Sequence, residues 1–349
     1  LVGLSIVGRG RPSAWPHMEV MAKIELADVA ATIPKTGQGV RRLSGRAQYD
    51  HLTSRLSIET ANGFLETSPF TLQGNVNLAQ PPTMDLALET DVELALAQPW
   101  LPEESALQTM SGPAHVQAQL RGSPSELRWD GQMRLMGASV QLRNWTPPIS
   151  ELNGMIQLTH QTLSTERLQA VVAKQPVTLS AHVTELTTTP RLVAHAQAGR
   201  FALLLKAIAH PDRIILENAE LSSERSRLRL TGELGRAPAP ISQLALAGTI
   251  ELDDQQHVPW VSLAALAFWK PSGQADLQLK LAGPLHDWTR LNGIGALRAN
   301  ALQIRAIPVR GLAVEFDHAE GRSTIRIVNA VLADGRLAGR LILDHREDS

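Results

Sequence analysis

The sequence predicts an all-β fold, in which one elongated and mostly antiparallel sheet curls into a groove built from repeated units, with a few short helices. Two observations lead to this prediction. Apolar residues stand at every second position along much of the 349 residues, which is typical of strands with one apolar and one polar face. Groups of such strands also recur, which is typical of a repeat array. The alternation is equally compatible with two compact β-sandwiches, and that arrangement is the alternative.

The composition narrows the function classes. Apolar residues make up 43% of the chain and aromatic residues only 4%, so the buried surface is expected to be aliphatic. A net charge of −1 gives no electrostatic basis for binding nucleic acid. The chain has no cysteine, which excludes disulfides and thiolate metal sites and is compatible with an oxidising compartment. No histidines pair as H-x-H or H-x-x-x-H, so we expect no metal as a partner. Because of the net charge, we expect no nucleic acid as a partner either.

Taken in order, the chain is predicted to fall into three regions. Residues 1–20 are rich in Gly and Pro and are interpreted as a truncated lead-in. Residues 21–250 are predicted to form repeated β-groove units, with a short helix near 99–110 where Glu103 and Glu104 follow a proline. Residues 251–349 are predicted to form a C-terminal β unit with a short helix near 259–269. The apolar segment 201–208 is compatible with a helix or a buried strand.

A leucine placed two residues before a glycine recurs along the chain. These triplets begin at Leu72, Leu120, Leu152, Leu230, Leu246, Leu281 and Leu337. Since glycine allows a strand to bend or bulge, their recurrence predicts a curved sheet. A longer repeat supports the array, because Ser111-Gly112 and the strand after it return 161 residues later as Ser272-Gly273.

Two tight turns are predicted from residue type. Asn62-Gly63 tolerates the positive φ angles of a hairpin, which predicts a reversal of the chain there. Asp317, His318 and Glu320 form the densest titratable group, but the glycine after them favours a solvated hairpin turn over a catalytic site.

The sequence also lacks a nucleophile elbow and a phosphate-binding loop. We therefore predict a protein that is not an enzyme and binds no cofactor.

If the sheet curls, its alternating aliphatic side chains must face inward, because facing them outward would expose a large apolar stripe. A groove of this kind would hold acyl chains by non-directional burial. The predicted lining residues are Val116, Ala118, Leu120, Val140, Leu142, Val177, Leu179, Leu228, Leu230, Leu277, Leu279, Leu281, Leu302 and Ile304.

Residues 283–343 include the segments NALQIRAIPVRGLAVEF and VNAVLADGRLAGRLIL. With the Leu-x-Gly pattern upstream, they resemble the AsmA-like superfamily, the group containing AsmA, TamB and YhdP, and most of all its YhdP-type members. The resemblance implies a long β-groove with an apolar interior, a periplasmic position in Gram-negative bacteria and phospholipid transfer toward the outer membrane. It implies phospholipid acyl chains as partners, with membrane proteins at either end of the groove. It also implies an inner-membrane anchor, which we expect outside this sequence because the sequence reads as a fragment.

The competing interpretation is a structural or adhesive β-array, similar to an autotransporter passenger or an assembly scaffold. Such an array would close its apolar face into a dry core, whereas a lipid conduit would leave that face accessible.

Overall fold

A computed structural model of the protein describes residues 2–9, 19–34, 36–101, 107–143, 147–235, 241–253, 271–285, 287, 289–305, 307–332 and 335–344. The all-β prediction is confirmed, since strands account for 79% of the chain and 22 of them belong to one antiparallel sheet. The strands are β1 (Val2–Arg9), β2 (Glu19–Thr32), β3 (Gly39–Asp50), β4 (Arg55–Leu65), β5 (Ser68–Asn77), β6 (Thr83–Glu93), β7 (Leu107–Ser111), β8 (Pro113–Gly122), β9 (Arg128–Leu142), β10 (Ile149–Thr159), β11 (Leu163–Val172), β12 (Gln175–Thr184), β13 (Arg191–Ala198), β14 (Phe201–Ala209), β15 (Arg213–Ser222), β16 (Arg227–Gly235), β17 (Ile241–Glu251), β18 (Pro271–Pro284), β19 (Asn292–Ile304), β20 (Ile307–Ala319), β21 (Arg322–Leu332) and β22 (Gly335–Asp344).

Most strands pair with the strands before and after them in the sequence. Consecutive strands pair from β1 to β6 and from β12 to β22, and β9 pairs with β10. The one departure is at the long strand β9, whose other edge is shared by β8 and β7. β6 pairs with β8, so β7 is a short strand set beside this run. The segment 201–208, ambiguous in sequence, lies in β14.

The chain divides into two compact units, residues 1–171 and 172–349. The division falls within β11 and not at the predicted boundary of residue 250. At that boundary β17 and β18 pair directly over eleven residues, from Ile241 opposite Pro284 to Glu251 opposite Gln274. In the predicted lead-in, residues 2–9 form β1, which pairs with β2 along its whole length. The helix predicted near 259–269 lies outside the described residues.

The Leu-x-Gly triplets mark a recurring β-bulge. In β4–β5, Ile58 lies opposite Gly74 and Ala61 opposite Leu72, so three steps on one strand match two on its partner. The same offset occurs in β15–β16, where Leu216 and Ala219 lie opposite Gly232 and Leu230, and in β21–β22, where Ile327 and Ala330 lie opposite Gly339 and Leu337. The prediction of a bulge is confirmed in these three hairpins, and the extra residue belongs to the strand opposite the triplet.

Two of these glycines are required by their surroundings. Gly74 and Gly232 have φ angles of +136° and +132°, which side-chain-bearing residues rarely adopt. A Cβ atom at Gly74 would lie 2.1 Å from the carbonyl oxygen of Asp85, and one at Gly232 would lie 2.0 Å from that of Gln243. At each of these two glycines, the backbone of the strand on the side away from the bulge, β6 or β17, therefore lies too close for a side chain.

The hairpin predicted at Asn62-Gly63 is wrong. Both residues lie inside β4, and the chain reverses after Leu65, which pairs with Ser68 across a two-residue turn. Glycine at position 63 fits beside Phe70 on β5, because a Cβ atom there would lie 3.0 Å from the ring and the ring would have to shift. Glu66 takes the positive φ angle of the real turn, at 55°.

The helix predicted near 99–110 is only partly testable, because residues 102–106 lie outside the described residues. The structure has a 3₁₀ helix at Leu94–Trp100, between β6 and β7, while Leu107–Ser111 is a strand. The helix ends at Trp100 and is followed by Leu101, whose extended backbone is the conformation favoured before a proline, here Pro102. The amide of Leu94 donates a 2.9 Å hydrogen bond to the carbonyl of Gly112, which ties the start of the helix to the start of β8.

Candidate functional site: an apolar sheet face

In the second unit, the register carries apolar residues across the sheet in straight rows. Directly opposed residues of antiparallel strands lie on the same face, so the pairing defines each row. One row crosses eleven strands from β12 to β22 through Leu179, Ala196, Leu203, Leu221, Leu228, Gly248, Leu277, Leu297, Val314, Ile327 and Gly339. A parallel row runs through Ala181, Ala194, Leu205, Ala219, Leu230, Leu246, Leu279, Gly295, Phe316, Ile325 and Leu341. We call the side that bears these rows the apolar face.

The opposite side, here the polar face, has a different composition. The row between the two apolar rows contains Ser180, His195, Leu204, Glu220, Arg229, Ala247, Gln278, Ala296, Glu315, Arg326 and Arg340. Its charges form cross-strand pairs such as Arg326–Glu315, and Arg227 also pairs with Glu220 at 2.8 Å. Such exposed pairs add little stability. These charged side chains make the polar face compatible with water, whereas the aliphatic side chains lie on the apolar face.

The first unit has the same two-sided composition. On one face, Phe70, Thr90, Val116, Met133 and Ile156 lie in register across β5, β6, β8, β9 and β10. The residues one position along each of these strands form a row on the other face. This row contains Thr71, Glu89, Gln117, Gln132 and Gln157. There the Gln132 amide donates to Gln117 at 2.6 Å and the Gln117 amide to Glu89 at 3.3 Å.

The predicted lining residues fall into three groups. The first group is half-buried on the apolar faces of the two units. In the second unit it consists of Leu179, Leu228, Leu230, Leu277, Leu279 and Leu281, and in the first unit of Val116, Ala118 and Leu120. Val140 and Leu142 are half-buried where β9 pairs with β7. Val177 and Leu302 are 8% and 6% exposed, so they are packed under other side chains, and Ile304 packs against the same cluster as Leu302.

That cluster closes part of the apolar face at one end of β17–β21. Its buried members are Leu252, Ala275, Ala299, Leu302, Val309 and Ala330. The sequence prediction missed several aliphatic positions of the rows, among them Leu203 on β14, Leu221 on β15, Val314 on β20 and Ile325 on β21. Their alternation is visible in the sequence, but only the register shows that they continue the rows of Leu277 and Leu279.

Much of the surface stays unpacked. The accessible surface is 22118 Å², whereas two compact domains sharing this mass would expose about 17,000 Å².

Concavities open on the polar faces of both units. One of about 700 Å³ lies over β18–β22 and includes Lys280, Glu315, Asp317, Arg326 and Arg340. The other, of about 710 Å³, lies over the glutamine row of the first unit.

Catalytic chemistry finds little support in the described ranges. No cluster of three or more His, Asp or Glu side chains that could hold a metal occurs among them. His115 contacts Asp91 at 2.8 Å and Glu89 at 3.5 Å on the polar face of the first unit, as an exposed cross-strand group. The pKa of Asp287 is lowered by hydrogen bonds from Thr289 in a turn, away from any other candidate group.

His318 is the clearest departure from the sequence analysis. It was expected in a solvated turn, but β20 extends through Ala319 and only Glu320 and Gly321 form the turn. His318 therefore lies on the apolar face opposite Ser323 and is 1% exposed.

Within the described part of the chain, no helix is long and apolar enough to cross a membrane. No protein-family model, curated protein or solved structure matches this chain.

Proposed function

We propose that this chain is a non-enzymatic lipid carrier whose apolar face holds phospholipid acyl chains during transfer between the inner and outer membranes. The observation that carries the proposal is the pair of rows from Leu179 to Gly339 and from Ala181 to Leu341. No charged residue interrupts either row over eleven strands, and most of their side chains are half-buried.

The physical basis is burial without direction. Each methylene moved from water to such a surface gains about 0.8 kcal/mol. Neither row has a charged group at which a chain would stop, so adjacent positions bind a chain similarly. A lipid held in this way can move along a row without a large barrier, which is the property a conduit needs.

Membership of the AsmA-like superfamily and a periplasmic position belong to the same proposal. They are supported by the sequence of residues 283–343 and by the all-β fold. The proposal also includes an inner-membrane tether outside this sequence and membrane proteins that bind at either end of the sheet. Fractionation of cells that produce the full protein tests the position, and recovery with cytoplasmic markers would contradict it.

A structural β-array is the second candidate, and the closed cluster around Leu302 favours it. There the apolar face packs against its own residues, as a dry core would. The two candidates differ in whether the rows of Leu277 and Leu279 remain accessible.

The deciding experiment measures that accessibility. The 349-residue chain is purified without detergent, examined by native mass spectrometry for bound lipid, and titrated with N-phenylnaphthylamine, which fluoresces in apolar sites. A carrier is expected to hold phospholipid and to take up the dye, with added phospholipid displacing it. A chain that carries no lipid and takes up no dye would establish the structural array instead.

A further inference from the structure

Three successive turns at one end of the strands of the first unit each carry an exposed leucine. They connect β3 to β4, β5 to β6 and β8 to β9, and consist of residues 51–54, 78–82 and 123–127. The side chains of Leu52, Leu78 and Leu127 are 51%, 52% and 37% exposed. The flanking strands pair in the order β3, β4, β5, β6, β8 and β9, so neighbouring turns lie about 10 Å apart. We call this group of turns the leucine rim.

Hydrogen bonds fix the first two turns. The carboxylate of Asp50 accepts a 3.0 Å hydrogen bond from the amide of Leu52, and the amide of Leu78 donates at 2.7 Å to the carbonyl of Ser54. The leucines therefore project from an ordered backbone, and little conformational entropy is lost when they bind a partner.

The fold does not require a leucine in the first of these turns. The β4–β5 and β15–β16 hairpins repeat the same bulge, with Gly74 and Gly232 at the same place. The turn that precedes the second hairpin, between β14 and β15, has His210 where the first unit has Leu52. A polar residue is thus compatible with this turn, and turn geometry alone does not account for the leucine.

The leucine rim adjoins the apolar face of the first unit. Leu56, Val76 and Met84 are half-buried and lie in register across β4, β5 and β6, as the last apolar row before the turns. Trp129, opposite Leu120 on the same face, is 37% exposed beside the third turn. An apolar partner bound at the rim would therefore be continuous with the apolar face.

The charges of the rim are balanced. The three turns and the residues that bound them contain two acidic residues, Asp50 and Glu126, and two arginines, Arg55 and Arg128. With the histidine of the first turn neutral, these charges cancel. The rim therefore has no net charge with which to attract an anionic or a cationic partner.

The spacing of the leucines favours a lipid bilayer over a protein as the partner. Polar residues such as Ser54, Gln80 and Ser123 stand between them, so the rim lacks the continuous apolar patch that is typical of a protein interface. A rigid partner would need three separate pockets, whereas the acyl chains of a bilayer can surround each leucine independently. The indole of Trp129 also suits the boundary between lipid and water.

We propose that the leucine rim docks the first unit on the surface of a zwitterionic phospholipid bilayer, into which Leu52, Leu78 and Leu127 insert. This docking surface is additional to the acyl-chain site, and it does not depend on whether the apolar face carries lipid.

Co-sedimentation with vesicles of phosphatidylcholine tests the docking. The 349-residue chain is expected to bind these vesicles equally well at about 0.05 M and about 0.5 M salt, because no net charge is involved. Leu52→Ser and Leu78→Ser should each weaken binding about tenfold, since partial burial of one leucine corresponds to a change of this size. Leu78→Met should retain binding. Met136→Ser is the matched control, because Met136 is 43% exposed but lies along β9, away from the turns.

A fluorescent label shows whether the rim enters the lipid. The chain has no cysteine, so Leu78→Cys provides a single site for the fluorophore NBD. Its emission should shift to shorter wavelength when phosphatidylcholine vesicles are added. The same label at Met136→Cys should not shift, and equal shifts at the two positions would contradict insertion of the rim.

Vesicle binding and uptake of N-phenylnaphthylamine separate the rim from the proposed function. Leu78→Ser should lose vesicle binding and retain dye uptake, whereas Leu279→Asp should show the reverse. Docking without dye uptake would refute the acyl-chain carrier and support the leucine rim. Absence of vesicle binding by the unmodified chain would overturn the docking surface, as would binding that Leu52→Ser and Leu78→Ser leave unchanged. Binding that requires anionic lipid and disappears at high salt would also overturn it, because that result describes electrostatic adsorption.

Discussion

The imidazole of His318 and the hydroxyl of Ser323 face each other across the end of the β20–β21 hairpin, with 2.7 Å between Nδ1 and Oγ. The side chains are 1% and 2% exposed and sit on a face that is otherwise aliphatic. The ring of His318 is parallel to that of Phe316, with centroids 6.4 Å apart. The pair is thus a buried polar contact at one end of the apolar rows.

Removing both sides of this contact should cost less than the sum of the costs of removing each side alone. Ser323→Ala removes the hydroxyl that the buried ring nitrogen contacts at 2.7 Å and should lower the free energy of unfolding by about 1–3 kcal/mol. The double variant His318→Leu, Ser323→Ala should lose less than the two single losses combined, measured by urea denaturation as a double-mutant cycle. Thr324→Ala, on the other face, is the control. Additive losses would show that the two side chains do not interact.

The bulge predicts a difference between two glycines at the same place in the repeat. Gly232→Ala should cost at least about 1–3 kcal/mol, because the residue has a positive φ angle and the added Cβ would meet the Gln243 carbonyl. Gly339→Ala is the matched control, since nothing lies within 4 Å of a Cβ there. Thermal unfolding of both variants measures the difference. Equal effects would contradict the assigned register of β15–β17.

Charge on the apolar face should block lipid without unfolding the chain. Leu279→Asp places a carboxylate in the middle of a row, where a bound acyl chain would desolvate it. We expect lipid binding weaker by about 1.4 kcal/mol or more, a tenfold loss. Gln278→Asp, one residue along on the polar face, should retain binding. Phospholipid that photocrosslinks equally to both folded variants would place the acyl chains elsewhere. Ile304→Asp should affect folding first, because Ile304 packs against the closed cluster.

Asp50 provides a pH prediction. Hydrogen bonds from the Thr53 hydroxyl (2.8 Å) and the Leu52 amide (3.0 Å) hold the pKa of this exposed carboxyl below its ordinary value of 3.8. Because the folded pKa is the lower one, the stabilisation is present above 3.8 and is lost as the pH falls through the folded value. In a carbon-13 NMR titration, Thr53→Val should raise the pKa of Asp50 toward 3.8. The pKa of Asp287, lowered in the same way by Thr289, should not move.

The class of fold could be predicted from the sequence because alternation directly encodes which residues share a face. Leu277, Leu279 and Leu281 needed no partner strand to be assigned to one side. Long-range register could not be obtained in the same way. Asn62-Gly63 has the composition of a hairpin turn, yet Gly63 is small to accommodate Phe70, a contact that only the pairing of β4 with β5 reveals.

His318 illustrates the same limit at the candidate site. A polar run before a glycine is typical of a turn, but the turn needs only Glu320 and Gly321. The register then assigns His318 to a buried position opposite Ser323, two strands from Leu281 on the same face. The predicted lining residues were identified strand by strand, whereas their order across the face, and the burial of Leu302, follow from pairing.

The pairing of each strand with its neighbour in sequence also has a kinetic consequence. From β12 to β22 every ladder joins consecutive strands, and most of them, such as the pair of β13 and β14, are joined by very short connections. Closing such short loops costs little chain entropy, so hairpins in this part of the chain can nucleate independently and grow by adding one strand at a time. Folding of a β protein of this size would be slower if its strands paired with segments distant in the sequence. Here the order of the strands along the chain is also the order in which they can assemble during synthesis.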